Sequence, residues 1–161
     1  YDEPMMLRNA DVTAEAALLM AGEKMAGCLG GASLLAGGYG RIGKRLAAKA
    51  RALGCNVTVA ARKESDHALI RVCGHHAIGF EKLEEAVATA DAVCNTVPAE
   101  VFSEKVMLKL PREVPLIDLA GSITGSRVIR APGLPGKYAP ETAGMILAES
   151  LKRILKREGL L

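Results

Sequence analysis

The residues with the clearest chemical potential are three glycines that follow a short apolar segment. The segment spans residues 32–36, and Gly38, Gly40 and Gly43 follow it in the pattern Gly-x-Gly-x-x-Gly, with a helical pattern from Arg41 to Leu53. In such a strand–turn–helix unit the first glycine makes the tight turn, the second lets the backbone approach a phosphate, and the third lets the helix pack on the strand. The helix start offers N–H groups and a positive dipole end. We therefore predict a dinucleotide-binding turn, which the flanking strand and helix favour over a ligand-free glycine turn.

Two of the cations in the helix that follows the glycines, Arg41 and Lys44, are considered as phosphate contacts. Arg41 falls in its first turn, where a cation opposes the helix dipole. A bound diphosphate would compensate by its charge and by a forked hydrogen bond, so we expect Arg41 to bind phosphate rather than to remain an exposed arginine. Lys44 lies deeper in the helix and is expected to face solvent.

The end of the second predicted strand bears on the choice of cofactor. An NAD site usually places an acid about 20 residues after the glycine motif, on the ribose hydroxyls. This chain has Ala60-Ala61-Arg62-Lys63 there, with no carboxylate and two cations. A 2′-phosphate would be attracted by Arg62 and Lys63, so the sequence predicts NADP, with NAD still open and ordinary surface cations as the alternative. Ser65 either adds a hydroxyl to the phosphate or caps the next helix.

Polar side chains also follow the fourth and fifth predicted strands. Asn95-Thr96-Val97-Pro98 either meets the nicotinamide ribose or forms a strand-ending turn fixed by Pro98, and both interpretations stay open. Asp118 is expected to tie down the loop 121–125 rather than to orient a substrate. The residues predicted to contact the cofactor are Gly38, Tyr39, Gly40, Arg41, Ile42, Gly43, Ala61, Arg62, Lys63, Ser65, Asn95, Thr96, Val97 and Pro98.

Several classes of function are disfavoured. Neighbouring residues on a strand point to opposite faces, so His75 and His76 make a poor metal pair, and no metal site or catalytic residue is predicted. The net charge of +3 is spread along the chain and aromatic residues make up 3%, which argues against a nucleic-acid or membrane partner. The four cysteines form no C-x-x-C pair, so we expect free thiols and a cytoplasmic protein.

Strands and helices alternate along the chain in a way that could position these residues. The predicted strands are 32–36, 56–60, 76–80, 91–97, 116–120 and 127–129, and the predicted helices are 41–53, 67–72, 81–90, 100–110 and one from Pro140. Residues 1–10 are predicted as an irregular lead-in, before a helix that Asp11 or Thr13 caps, and 131–136 as a loop. The alternation predicts an α/β fold, a Rossmann-type doubly wound parallel sheet in a single domain. We expect a lead-in and connector helix over 1–27 and the dinucleotide-binding domain over 28–161.

Three stretches together resemble a known family. They are residues 11–16, the glycine motif with residues 60–63, and the A-P-G-L-P-G…A-P-x-T-A-G stretch over 131–144, which is the most specific. Residues 95–99 and 117–120 add to the likeness. Over nearly its whole length, the chain resembles the C-terminal nucleotide-binding half of the A subunit of dipicolinate synthase.

The resemblance implies a sporulation enzyme that oxidises dihydrodipicolinate, a small dicarboxylate, to dipicolinate with a nicotinamide cofactor. It also implies a flavoprotein-like second subunit and a separate N-terminal domain, absent here, and it leaves a homo-oligomer open. By analogy the helix from Thr13 is the connector, and 131–138 lies near the nicotinamide. The loop 121–125 departs from the proline-glycine-glycine loop of the family.

Because the chain begins Tyr1-Asp2-Glu3 without a start methionine, we expect a fragment or excised domain that binds NADP and turns over nothing alone. Two alternatives remain: a non-catalytic nucleotide-sensing or assembly module, and an NADP-dependent dehydrogenase of another small carboxylate or carbonyl compound.

Overall fold

The computed structural model describes residues 2–161 and contains one parallel sheet of six strands. The strands are β1 Ser33–Gly37, β2 Asn56–Ala60, β3 His76–Ile78, β4 Ala92–Asn95, β5 Leu116–Asp118 and β6 Val128–Arg130. Their order is β3-β2-β1-β4-β5-β6, and every neighbouring pair is parallel. The predicted doubly wound sheet is confirmed. The strand order reverses between β1 and β4, where such sheets bind their ligands beyond the carboxyl ends of the strands.

The helices lie on both faces of this sheet. They are α1 Glu3–Lys24, α2 Arg41–Ala52, α3 Glu64–Val72, α4 Leu83–Val87, α5 Glu104–Lys109, α6 Leu134–Tyr138 and α7 Pro140–Arg157. A 3-10 turn over Phe80–Lys82 precedes α4. The start of α7 at Pro140 is as predicted, whereas α6 occupies a segment predicted to be mostly loop. Pro135 stands in the first turn of α6, a position that proline tolerates because its missing N–H has no partner there.

Helix α1 corrects the prediction for the N-terminus. In place of the irregular lead-in predicted over 1–10, α1 begins at Glu3, with Pro4 in its first turn, while Tyr1 lies outside the described residues. Thr13 is therefore mid-helix rather than a cap, and its hydroxyl donates to the carbonyl oxygen of Asn9 at 2.7 Å. Asp11 is mid-helix too and forms ion pairs with α2. The early start agrees with a local pattern that the prediction overlooked, Asp2 at the N-cap and Pro4 in the first turn, and distant ion pairs to Arg41 and Arg153 hold these first residues.

The core is divided by the sheet. On one face, fully buried alanines of α1 and α2 belong to the same cluster as apolar residues of β1 and β2, together with Ile70 of α3 and Leu134 of α6. On the other face, α4 and α5 cover Leu35, Val93 and Leu116. Alanine at the contacts lets α1 approach α2 closely, so α1 packs as part of the sheet's helical layer.

Three strands end two residues earlier than predicted. The sequence indicates 76–80, 91–97 and 116–120, whereas β3 ends at Ile78, β4 at Asn95 and β5 at Asp118. At β4 and β5 the next residues bend away because the last side chain of the strand hydrogen-bonds the backbone of its own loop. The apolar pattern continues through these bends, which explains the overestimate.

The four cysteines are free, as expected, with Cys55 and Cys94 buried and Cys28 and Cys73 exposed. Among residues 2–161, no helix is both long enough and apolar enough to cross a membrane.

Candidate functional site

The glycine turn between β1 and α2 has the local geometry that its spacing predicts. Gly38 has φ +96°, a left-handed conformation, and a Cβ there would lie 2.6 Å from the hydroxyl oxygen of Thr96. A Cβ on Gly43 would overlap the carbonyl oxygen of Gly38, so the helix packs directly on the turn. A Cβ on Gly40 would meet nothing within 4 Å. Two glycines are thus required by the protein itself, and the second of the motif leaves open space above the backbone.

The start of α2 suits an anion. No side chain caps this helix, its N-cap is Gly40, and its first turn contains no acid. The N–H groups of a first turn have no acceptor within the helix, and they carry the positive end of the dipole. A diphosphate above Gly40 would therefore find donors and favourable charge.

Arg41 has a partner that the sequence does not suggest. Its Nε donates to Oε1 of Glu3 and its Nη2 to Oε2, each at 2.7 Å. Glu3 is the first residue of α1, so this forked pair joins α1 to the glycine turn. The expected contact between Arg41 and phosphate stays a prediction, and it requires Arg41 to be shared with Glu3 or released from it.

Two cavities flank the turn and share Gly40 and Thr96. One, of about 400 Å³, lies toward the end of β2 and includes both Arg62 and Lys63. The other, of about 340 Å³, lies between the turn and α1 and includes Ile42. Both cavities border the start of α2 through these two residues, and the pair of cavities is called the channel below. A larger cavity of about 630 Å³ lies on the sheet face at β2 and β3 and includes no residue of the turn.

The loop after β2 is anchored by its neighbours. The N–H of Ala61 donates to the carbonyl oxygen of Ile78 at 3.0 Å, and Nε2 of His67 lies 2.9 Å from the carbonyl oxygen of Ala61. The sequence does not indicate that His67 contacts the β2 loop, because its position in a predicted helix says nothing about which loop the side chain reaches. The anchored backbone presents Arg62 and Lys63, both exposed, and neither forms an ion pair within residues 2–161.

Ser65 does not share the cavity with these cations. It is exposed on α3, whose N-cap is Lys63 without a side-chain hydrogen bond, so the capping alternative for Ser65 is wrong. The phosphate contact predicted for its hydroxyl has no support from its position.

Tyr39 forms part of the cavity wall with its ring and is not expected to bind the cofactor through its hydroxyl. Its side chain is 8% exposed, belongs to the core cluster and also lines the larger of the two flanking cavities. Burial, followed by a hydrogen bond to the thiol of Cys73, raises the pKa of Tyr39 to about 12. The phenol is therefore neutral at any physiological pH, and a cofactor would meet the ring and the backbone.

A buried polar network joins the ends of β4 and β5. Asn95 is fully buried, and its Nδ2 donates to Oδ1 of Asp118 at 3.0 Å and to the hydroxyl oxygen of Ser122 at 2.9 Å. Asp118 accepts N–H donors from Gly121 at 3.1 Å and from Ile123 at 2.8 Å, so its predicted role in tying down the loop is confirmed. Asn95 is engaged in this network, which favours the structural interpretation of its side chain.

The rest of the β4 loop reaches the cavity. The hydroxyl of Thr96 donates to the carbonyl oxygen of Gly37 at 2.8 Å and thereby fills the space next to Gly38. Val97 and Pro98 line the same cavity as Arg62, and the N–H of Val97 is fixed by Oδ1 of Asn95 at 3.0 Å. The network around Asn95 therefore positions the wall of the cavity that the β4 loop forms.

Lys44 is exposed, as predicted, and it also lines the cavity that holds Arg62 and Lys63. Helical spacing alone does not indicate this contact, because Lys44 lies three residues after Arg41 and is its neighbour on the helix surface. Only the folded structure assigns Arg41 to one of the two cavities beside the turn and Lys44 to the other.

Comparison with known proteins agrees with this geometry. The family described as D-isomer specific 2-hydroxyacid dehydrogenase, NAD binding domain, matches residues 9–122. The A subunit of dipicolinate synthase from Bacillus subtilis (strain 168) is 30% identical over 163 residues, which cover 95% of this chain and 55% of that protein.

Two crystal structures of the same subunit of dipicolinate synthase superpose on most of the chain. The Bacillus subtilis structure gives a TM-score of 0.91 at 30% identity and covers 97% of this chain and 56% of its own. The Bacillus halodurans structure gives 0.88 at 33% identity and covers 94% and 55%. The chain therefore spans about half the length of the relatives it matches.

Proposed function

The chain belongs to the family of NAD-binding domains of D-isomer specific 2-hydroxyacid dehydrogenases, and from this premise we propose that it is the NADP(H)-binding domain of an oxidoreductase like the A subunit of dipicolinate synthase. One observation carries the proposal. The cavity beside the glycine turn gathers the cations that follow β2, at the point where an NAD site places a carboxylate on the ribose.

The residues around the channel could bind successive parts of a dinucleotide. The first turn of α2 would hold the diphosphate above Gly40, where the backbone is open. Arg62 and Lys63 would hold the 2′-phosphate of the adenosine half. Thr96 borders both cavities, and its side chain would pack beneath the bridge between the two halves of the cofactor.

A bound nicotinamide cofactor supplies the carbon that takes up or releases a hydride, and the protein supplies binding and orientation. Here orientation falls to the loops after β4 and β5, which the buried pair of Asn95 and Asp118 holds in one arrangement.

The wider role rests on the relatives. We propose that the whole protein oxidises dihydrodipicolinate to dipicolinate during sporulation, in the cytoplasm, with a flavoprotein-like second subunit and with homo-oligomerisation left open. Since the chain spans 55% of the curated relative, the rest of the substrate pocket would come from a separate domain. We therefore expect the 161 residues to bind NADPH and to show no turnover of dihydrodipicolinate.

The test is a fluorescence titration of the 161-residue chain with NADPH and NADH. Replacing Arg62→Ala and Lys63→Ala together should weaken NADPH about tenfold or more and leave NADH within about twofold, since a charge-assisted phosphate contact is lost. The matched control is Lys109→Ala with Arg112→Ala, two exposed cations away from the channel, which should change neither affinity. An equal loss for NADPH and NADH would contradict the 2′-phosphate role.

Assays of redox activity test the proposed role of this chain as one domain of an oxidoreductase. Redox activity of the isolated chain on dihydrodipicolinate would contradict the proposed division of labour. Tight NADPH binding without any redox activity in the full-length protein would instead favour a nucleotide-sensing module.

A further inference from the structure

Lys44 shares a cavity with the two cations of the β2 loop. The cavity of about 400 Å³ is lined by Lys44 from α2, by Arg62 and Lys63 from the loop, and by Asp66 from the first turn of α3. Three positive side chains and one negative side chain therefore face one space large enough for part of a nucleotide. The excess of positive charge favours an anion there.

Three other cations of α2, Arg41, Arg45 and Lys49, have carboxylate partners on α1. Arg41 and Arg45 pair with Glu3 and Asp11 of α1, and Lys49 pairs with Asp11 at 3.2 Å and with Glu15 at 2.9 Å. These charges lie on the side of α2 that packs against α1, and their carboxylate partners are supplied by the fold.

Lys44 lines the cavity toward the β2 loop, and within residues 2–161 it forms no ion pair with a carboxylate of α1. Its Nζ lies 5.5 Å from the centroid of the Tyr39 ring, and no carboxylate within residues 2–161 forms an ion pair with it. A cation over an aromatic face is held there by the ring quadrupole with modest energy, about 0.5–1 kcal/mol at an exposed site. The ring thus keeps the ammonium at the cavity without neutralising it.

We propose that Lys44 is a specificity-determining residue that binds the 2′-phosphate of NADP(H) together with Arg62 and Lys63. This inference rests on the proposed NADP(H) function. The phosphate takes the place that a carboxylate of α1 takes for Arg41, Arg45 and Lys49. Asp66 opposes the phosphate, so the third cation is what gives the cavity its clear positive excess.

The experiment compares Lys44→Met with the adjacent matched variant Arg45→Met in the 161-residue chain. Affinities for NADPH and NADH are measured by titration at low and high salt. Lys44→Met should weaken NADPH about fivefold to tenfold and leave NADH within about twofold, because only NADPH carries the extra phosphate. The NADPH loss should shrink at high salt. Arg45→Met, whose charge is paired with Asp11, should leave the ratio of the two affinities unchanged.

A second variant guards against a purely structural effect. Lys44→Arg keeps the charge and should retain the NADPH to NADH ratio within about threefold, whereas loss of packing over Tyr39 would lower both affinities alike. An unchanged ratio in Lys44→Met overturns the inference. If the double variant at Arg62 and Lys63 still changes the ratio, only the role of Lys44 fails. If neither does, the proposed 2′-phosphate site fails as a whole.

Discussion

The two sides of α2 use the same kind of residue for different ends. Toward α1, Arg41, Arg45 and Lys49 are neutralised by carboxylates of the neighbouring helix. Toward the cavity, Lys44 joins the cations of the β2 loop without a carboxylate partner in the described chain. Exposed ion pairs contribute little to stability, so the first group mainly aligns two helices, while the second is available for an anion. The partner, rather than the number of cations, decides which side is a binding surface.

The largest expected effect comes from a substitution in the glycine turn that prevents the cofactor from binding beside α2. Gly43→Ala would drive a Cβ into the carbonyl of Gly38, so we expect NADPH and NADH affinities to fall more than about 100-fold together. Unfolding by urea should also show a loss of about 1–3 kcal/mol, typical of overpacking.

The control for that variant is Gly40→Ala, whose Cβ meets nothing within 4 Å. It should leave the free energy of unfolding within about 0.5 kcal/mol and still weaken both cofactors, because the methyl group enters the space meant for the diphosphate. Unchanged binding in Gly40→Ala would show that the diphosphate lies elsewhere.

Charge reversal sharpens the contrast between the two sides. Lys44→Glu should weaken NADPH about 30-fold and leave the free energy of unfolding nearly unchanged, whereas Lys49→Glu should cost roughly 1–2 kcal/mol and leave the cofactor ratio alone. The reason is that Lys49 is half-buried between Asp11 and Glu15, so the reversed charge meets like charges. Urea denaturation and cofactor titration of both variants check this, and identical behaviour would erase the distinction.

Salt provides a smaller effect without any mutation. Raising ionic strength from about 0.1 M to about 1 M shortens the screening length from about 10 Å to about 3 Å. NADPH affinity should therefore fall several-fold more than NADH affinity, because only the former depends on exposed unpaired cations. Parallel loss for both cofactors would mean that the 2′-phosphate meets no charge.

The smallest expected effect concerns Asp11 on the paired side. Partial burial alone would raise its pKa, but hydrogen bonds from Arg45 and Lys49 outweigh this and lower the pKa below the usual 3.8. The ionised form is thus favoured by the fold, and its stabilisation is present above the unfolded value and is lost as the pH falls through the lower folded value. Asp11→Asn should cost about 0.5 kcal/mol at neutral pH, and this cost should shrink progressively as the pH is lowered below 3.8, measured by urea denaturation. A cost that persists in acid would contradict the pairing.

Local features of the fold were predictable from the sequence. The positive φ of Gly38 and the close packing of Gly43 follow from the spacing of the motif, and the alternation of apolar segments predicts the parallel sheet. The tether formed by Asp118 is also predictable, because a carboxylate at a strand end with glycines after it finds backbone donors nearby.

The features that the sequence prediction missed involve contacts between residues far apart along the chain. The first turns of α1 are held by Arg41 and by Arg153, which pairs with Asp2. A local signal was also present and was missed, because Asp2 at the N-cap and Pro4 in the first turn are typical of a helix start. The exposure of Lys44 is predicted correctly, but its place beside Arg62 and Lys63 depends on how α2 and the β2 loop pack together, which the sequence does not show.

The central claim is that the start of α2 binds the diphosphate of a nicotinamide dinucleotide. The most direct measurement is a two-dimensional ¹⁵N NMR titration of the chain with NADPH. The account predicts saturable shifts that are largest for the amides of Gly40, Arg41 and Ile42. Saturating NADPH that leaves these three amides unmoved would contradict it.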